Sequence, residues 1–191
     1  MKPMIDPQYW SIEHAAGLVL ILGVAVLFPG ITMFWLRGGM HGGEPPSRTY
    51  FVTERSFVMA AVVVTAIGFE LLAQAMPDGA GRVLASIGAT GYLFAGVLIV
   101  AAEALALTLG FDKVINLIGV YVITAFLAQA IIGVALLQSG LVAAWIGWAT
   151  MAWNMAWLTG FAIFRPRDIY YPFAHHTAPL VIGIALLWAT K

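Results

Sequence analysis

The chain contains no cysteine among its 191 residues. Disulfide bonds, thiolate metal ligands, thiol nucleophiles and iron–sulfur clusters are therefore excluded together. Charge is also scarce, since only 9% of the residues are Asp, Glu, Lys or Arg, against about 25% in ordinary soluble domains. Nine basic residues balance nine acidic ones, so no net field would attract nucleic acid, and we expect no nucleic-acid partner.

Long apolar runs dominate the rest of the chain, which is 62% hydrophobic. A membrane-spanning helix needs about 20 mostly apolar residues. The strand-like alternation of a membrane β-barrel is absent. The pattern predicts an all-α integral membrane protein, a single polytopic domain over residues 1–191 that forms a bundle of six transmembrane helices. The predicted spans cover residues 12–36, 56–75, 82–109, 114–137, 141–164 and 174–190.

The distribution of basic residues predicts the orientation, because cytoplasmic loops are enriched in Lys and Arg. The flexible, Gly-rich loop 37–55 and the connections after spans 3 and 5 carry six basic residues, and the opposite side carries three. We therefore expect both termini on the non-cytoplasmic side of a cytoplasmic membrane. This orientation places Glu54 and Arg55 among the cytoplasmic surface groups.

Two carboxylates, Glu70 and Glu103, fall within predicted spans and away from the helix ends. A charged side chain at membrane depth costs at least about 2.5–3.5 kcal/mol on insertion scales, so each needs a partner or water. One interpretation is that they bind a proton or a cation. The other is structural, with Glu70 paired to His14 and Glu103 paired to His176, and the sequence leaves both open.

The remaining polar residues sort by predicted depth. Gln129 and His14 lie toward the outer face, Asn154 lies near mid-depth, and His175 and His176 start the last span toward the cytoplasm. Successive helical residues point about 100° apart, so at most one of the two adjacent His should face a given pocket. We expect one to reach the membrane interface and the other to hydrogen-bond within the bundle.

No known catalytic or metal motif is present. HExxH, P-loop and GxGxxG patterns are missing, and His14 lies at the opposite face from the His pair, so the two cannot hold one haem iron. No catalytic residue, metal ligand or cofactor-binding residue is predicted, and the sequence leaves the cofactor unknown. The candidate residues for ligand or proton binding are Glu103, His176, His175, Glu70, His14, Asn154 and Gln129.

Three functional hypotheses remain after these exclusions. The first is a small-molecule binding protein or proton-coupled carrier with a polar pocket inside the membrane. The second is a non-catalytic subunit of a larger membrane complex, for example one that handles quinone. The third is an intramembrane enzyme, which would need a convergent nucleophile or metal set that the sequence does not supply. Expected partners are the lipid bilayer, other membrane subunits or further copies of the chain.

Overall fold

A computed structural model describes residues 11–38, 43–164 and 171–188. All of the regular structure among them is helical, which confirms the all-α prediction. The helices are α1 (Ile12–Leu36), α2 (Arg48–Ala75), α3 (Ala80–Leu109), α4 (Phe111–Ser139), α5 (Ala144–Phe164), a 3₁₀ helix (Tyr171–His176) and α6 (Thr177–Trp188).

The helix ends follow from local sequence. Ser11 and Ser47 cap α1 and α2, because each side chain accepts a hydrogen bond from the backbone N–H three residues later. Gly110 separates α3 from α4 with φ 83°, a backbone angle that glycine adopts without a steric penalty. Gly140 ends α4 in the left-handed conformation.

Consecutive helices pack side by side from α1 to α5, and α6 returns to pack against α1. Glycine sets the close approaches. A Cβ built at Gly183 of α6 would lie 2.8 Å from the carbonyl oxygen of Gly17 in α1, and one built at Gly133 of α4 would lie 2.7 Å from the backbone N of Met151 in α5. Small residues at such crossings let helix backbones meet inside a membrane.

Among the described residues, four helices are long and apolar enough to cross a membrane, namely α1 to α4. This finding supports a multi-pass membrane protein. The helix α5 has sufficient length but carries four Trp together with Asn154, which lower its mean hydropathy. The helix α6 has only 12 residues, about 18 Å of helix. The other two predicted spans therefore differ from these four, α5 in its lower mean hydropathy and α6 in its shorter described length.

The second helix begins earlier than the apolar run that predicts it. Residues 48–55, assigned from sequence to the flexible loop, form the first two turns of α2. Glu54 and Arg55 lie on the packed face of those turns and are 0% and 1% exposed. The prediction that they are surface groups is wrong, because the helix continues past the apolar run and turns both side chains toward α1 and α3.

Candidate functional site

The His pair lies inside the bundle. The indole N–H of Trp153 in α5 donates a hydrogen bond of 2.7 Å to the carbonyl oxygen of Ala174. Trp153 is the tenth of 21 residues in α5, so the 3₁₀ helix meets α5 near the middle of that helix. The sequence places His175 and His176 at the cytoplasmic end of the last span, whereas the structure places them beside the middle of α5, because α6 begins only at Thr177.

His175 is held by aromatic residues of α3 and α4. Its Nε2 lies 2.7 Å from the Tyr92 hydroxyl and 3.4 Å from the Tyr121 hydroxyl. The rings of Tyr92, Tyr121 and Phe126 lie with their centroids 5.6–5.9 Å from that of His175. The imidazole therefore has polar partners at one nitrogen and apolar ring edges around it.

His176 lies beside His175, with 4.1 Å between the ring centroids. The two residues are 4% and 1% exposed. The expectation that one of them reaches the membrane interface is therefore wrong. Its premise was an α-helical start of the last span, whereas both residues belong to a 3₁₀ turn that is enclosed by the bundle.

Gln129 and Asn154 are fully buried amides, each 0% exposed. Asn154 Nδ2 donates a hydrogen bond to the Thr150 carbonyl oxygen at 2.8 Å. Among the described residues, Asn154 Oδ1 and both amide atoms of Gln129 have no hydrogen-bond partner. Buried polar atoms are nearly always paired in proteins, so three such atoms on two neighbouring helices indicate that something else satisfies them.

Helix register brings the amides and the His pair to one level. Gln129 precedes Gly133 by one turn of α4, and Gly133 packs against Gly147 and Met151 of α5. Continuing the antiparallel pairing by one turn places Gln129 opposite the turn that contains Asn154. Asn154 directly follows Trp153, which binds the residue before His175. We call this group the interior site: Tyr92, Tyr121, Gln129, Asn154, His175 and His176.

Glu103 lies outside the interior site and is paired. It is 1% exposed and accepts a hydrogen bond of 3.0 Å from Arg55 Nε. The rings of Phe51 and Phe111 flank the Arg55 guanidinium at 5.8 and 5.1 Å. The expected structural pairing of Glu103 with His176 is wrong, because the carboxylate is paired with Arg55, a residue that the sequence assigns to the surface.

A second buried ion pair joins α2 to the end of α1. Arg37 Nε and Nη2 lie 2.8 and 3.2 Å from the two carboxylate oxygens of Glu54. The Arg37 side chain is 9% exposed and that of Glu54 is fully buried. Sequence reasoning missed both ion pairs. The available signal was the pair of adjacent opposite charges, Glu54 and Arg55. Extending the helix upstream of its apolar run would place both charges within the helix, where each needs a partner.

The other two predicted site residues, His14 and Glu70, lie toward the end of the bundle opposite the two buried ion pairs. The His14 ring nitrogen Nδ1 lies 2.8 Å from the Ser11 hydroxyl, within the cap of α1. Glu70 is partly exposed near the end of α2. The two do not form the ion pair expected from sequence, and neither lies with the interior site.

A cavity between α5 and α6 opens next to the interior site. It has a volume of about 110 Å³ and is lined by Ala149, Thr150, Trp153, Thr177, Ala178 and Val181. Thr150 lies one turn before Asn154, and Thr177 directly follows His176. The helices α5 and α6 touch only sparsely along their length. The cavity therefore lies beside the interior site, although none of the six residues of that site lines it.

The chemistry offered by the interior site is hydrogen bonding among hydroxyl, imidazole and amide groups. In the part of the chain that the structure describes, no three His, Asp or Glu side chains converge as metal ligands would. The site instead presents two phenols, two imidazoles and two amides, flanked by aromatic rings. No family model, curated protein or solved structure matches the chain.

Proposed function

We propose that the protein is a multi-pass membrane protein that binds a small molecule in the interior site and carries it in exchange with, or together with, a proton. The three amide atoms of Gln129 and Asn154 without a partner in the described chain carry this proposal. An unsatisfied buried polar atom costs about 1–3 kcal/mol, and a ligand that hydrogen-bonds to the two amides would remove that cost.

Proton coupling is supported by a line of titratable groups toward the cytoplasmic end of the bundle. His175 Nε2 lies 3.4 Å from the Tyr121 hydroxyl, and the buried Glu103 lies in the neighbouring helix α3. Glu103 lies eleven residues beyond Tyr92 in α3, about 16 Å along the helix. Proton relays in membrane pumps and transporters use chains of His, Asp and Glu residues. Protonation of Glu103 would also release its ion pair with Arg55.

We further propose that the chain crosses the membrane six times, with both termini on the non-cytoplasmic side. The packing of α6 against α1 supports this topology. Gly183 lies against Gly17 and Ile21, while Leu186 lies against Gly17, so the two helices run antiparallel. The basic residues Arg37, Arg48, Arg55 and Lys113 then lie on the cytoplasmic side.

A role as a subunit of a larger membrane complex is the second candidate. An apolar groove of about 400 Å³ runs between α2 and α3 on the outside of the bundle. Its lining includes four small residues, which would let the backbone of another membrane helix approach closely: Ala66, Gly96, Ala101 and Ala104. Stoichiometric co-purification of another membrane protein in mild detergent would favour this candidate over an independent carrier.

Thermal unfolding of the purified protein in lipid nanodiscs tests the proposed function. The Tm is measured with each member of a panel of candidate ligands, which contains small polar solutes and lipid-soluble molecules with polar head groups. A ligand at 100 times its Kd stabilises the folded state by about 2.7 kcal/mol. We expect at least one compound to raise the Tm of the wild type and to have little effect on Gln129→Met and Asn154→Leu.

Asn116→Leu is the matched control, because Asn116 is an exposed amide on the same helix, thirteen residues before Gln129. This variant should respond to the ligand as the wild type does. A compound that stabilises the wild type and both interior variants equally would bind elsewhere, and that result would contradict the proposed site.

A further inference from the structure

The amide atoms of the interior site that lack a partner form a definite hydrogen-bonding pattern. Gln129 has neither its nitrogen nor its oxygen paired within the described chain, and Asn154 lacks a described partner at Oδ1. In a side-chain amide the nitrogen donates hydrogen bonds and the oxygen accepts them. An occupant that satisfies all three atoms must therefore donate two hydrogen bonds, one to each oxygen, and accept one from Gln129 Nε2.

The orientation of the Asn154 amide follows from its own hydrogen bond. The Thr150 carbonyl oxygen can only accept, so the Asn154 atom that lies 2.8 Å from it is the nitrogen. Turning the amide over would set two oxygens against each other. At Gln129 the orientation does not matter, because both amide atoms lack a partner among the described residues. The pattern of two acceptors and one donor group is therefore fixed.

The two amides lie on either side of one close helix contact. A Cβ built at Gly133 would lie 2.7 Å from the backbone N of Met151 and 2.8 Å from the carbonyl oxygen of Gly147. Gln129 precedes Gly133 by one turn, and Asn154 follows Met151 by about one turn on the antiparallel helix. Both amide residues are 0% exposed. This register puts both amides within reach of one small group.

Most common polar groups do not match the pattern. A carboxylate or a ketone only accepts hydrogen bonds, an ammonium group only donates them, and a single hydroxyl has one O–H for two oxygens. A charged group would also lack a counter-ion, because α5, α6 and residues 114–139 of α4 contain no Asp, Glu, Lys or Arg. Burying an unpaired ion is costly. A CO–NH2 group meets all three requirements, since its oxygen accepts and its two N–H groups donate.

We infer that the ligand of the interior site is a neutral molecule that carries a CO–NH2 group, as in a primary carboxamide or urea. This inference rests on the proposed function. The ligand oxygen accepts from Gln129 Nε2, and the N–H beside that oxygen donates to Gln129 Oε1. These two bonds form a planar pair between amides. The other N–H of the ligand points away from the pair and donates to Asn154 Oδ1, which joins the ligand to α5.

Acetamide and its N-methylated analogues test the inference, because they differ in the number of N–H donors. Acetamide has two, N-methylacetamide has one and N,N-dimethylacetamide has none. Saturation-transfer NMR on the protein in nanodiscs detects weak binding through the acetyl methyl protons, and empty nanodiscs give the background. We expect acetamide to bind saturably and each methylation to weaken binding at least about fivefold, because it leaves a buried oxygen without a donor. This comparison uses the wild type alone.

Two variants assign the two N–H groups separately. The trans form of N-methylacetamide, which secondary amides prefer, carries its N-methyl group beside the oxygen, in place of the N–H assigned to Gln129. Gln129→Met should therefore bind acetamide and N-methylacetamide about equally. Asn154→Leu should weaken both at least about fivefold and keep the difference between them. Asn116→Leu is the control and should bind all three compounds as the wild type does.

The outcomes separate the inference from the proposed function. Equal binding of acetamide and N,N-dimethylacetamide would overturn the inference, and so would glycerol that competes as well as acetamide, since flexible hydroxyls would then suffice. If acetamide does not bind saturably while another compound stabilises the wild type but not Gln129→Met, the inference fails and the proposed function stands. If water alone fills the site, no compound binds there and both are overturned.

Discussion

At the scale of single residues, His175 is positioned by one short hydrogen bond and one long one. The hydroxyl of Tyr92 lies 2.7 Å from His175 Nε2, whereas that of Tyr121 lies 3.4 Å away. Hydrogen bonds between N and O weaken beyond about 3.2 Å. Tyr92 therefore fixes the ring, and Tyr121 stands beside it as a second, looser partner.

Removing the two hydroxyls should have unequal effects. We expect Tyr92→Phe to lower the free energy of unfolding by about 1 kcal/mol, because a typical buried hydrogen bond contributes that much. Tyr121→Phe should have a smaller effect. Reversible unfolding in mixed micelles measures both, and an equal or larger loss for Tyr121→Phe would contradict the assignment of Tyr92 as the positioning residue.

The Arg55–Glu103 pair should behave as a buried ion pair. Glu103→Gln leaves the Arg55 charge without its counter-ion and should destabilise the protein by about 3–5 kcal/mol. The double variant Arg55→Met/Glu103→Met removes both charges and should recover most of that loss. A double variant as unstable as the sum of the single variants would show that the two side chains do not act as a pair.

At the scale of helices, packing depends on a few glycines rather than on all of them. Gly133 and Gly119 both lie in α4, but their surroundings differ. A Cβ at Gly133 would lie 2.7 Å from the backbone N of Met151, while one at Gly119 would have its nearest neighbour, a ring atom of Phe161, at 3.9 Å. The helix α4 is therefore fixed against α5 at one position and open at the other.

Alanine substitution should separate the two glycines. Gly133→Ala forces α4 and α5 apart and should cost about 1–3 kcal/mol, as overpacking does. Gly119→Ala fits without displacement and should be neutral or stabilising by up to about 1 kcal/mol, the helix-propensity difference. Unfolding of the two variants side by side gives the comparison. Equal destabilisation would mean that α4 and α5 do not cross at Gly133.

Sequence reasoning located the long helices better than the short one. Apolar runs predict α1, α3 and α4 to within a few residues, because length and hydropathy set a membrane helix. They misplace the start of α2, whose polar first turns bury Glu54 and Arg55, and they misplace the His pair at the start of α6. The start of α6 beside the middle of α5 depends on contacts such as Trp153 to Ala174, and no local pattern reveals those contacts.

At the scale of the whole molecule, two exposed connections between helices lie on opposite sides in the proposed topology. Asp78, in the connection from α2 to α3, has a side chain 91% exposed. Asp112 is exposed at the start of α4. The first should face the non-cytoplasmic side and the second the cytoplasm.

Single-cysteine labelling tests that topology, and the cysteine-free chain needs no prior substitution. A membrane-impermeant maleimide added to intact cells should label Asp78→Cys at once and Asp112→Cys only after permeabilisation. The reverse pattern would invert the orientation, and labelling of both from outside would show that α3 does not cross the membrane.

The candidate site could be predicted from sequence only in part. Asn154, Gln129, His175 and His176 were singled out as buried polar residues, and the structure brings them to one level. Glu70, Glu103 and His14 were singled out on the same ground and lie elsewhere, because depth along one helix says nothing of the face that a neighbouring helix covers. Tyr92 and Tyr121 were missed, since a tyrosine inside an apolar run resembles ordinary core packing.

The central claim is that Gln129 serves a ligand rather than the fold. The free energy of unfolding of the Gln129→Met variant, measured without ligand, tests this claim most directly. Gln138→Met, at an exposed position of the same helix, is the control and should change stability by less than about 0.5 kcal/mol. We predict that Gln129→Met raises stability by about 1–3 kcal/mol, because it removes a buried amide that has no partner in the described chain. A loss of similar size would show that the amide holds the helices together and would contradict the claim.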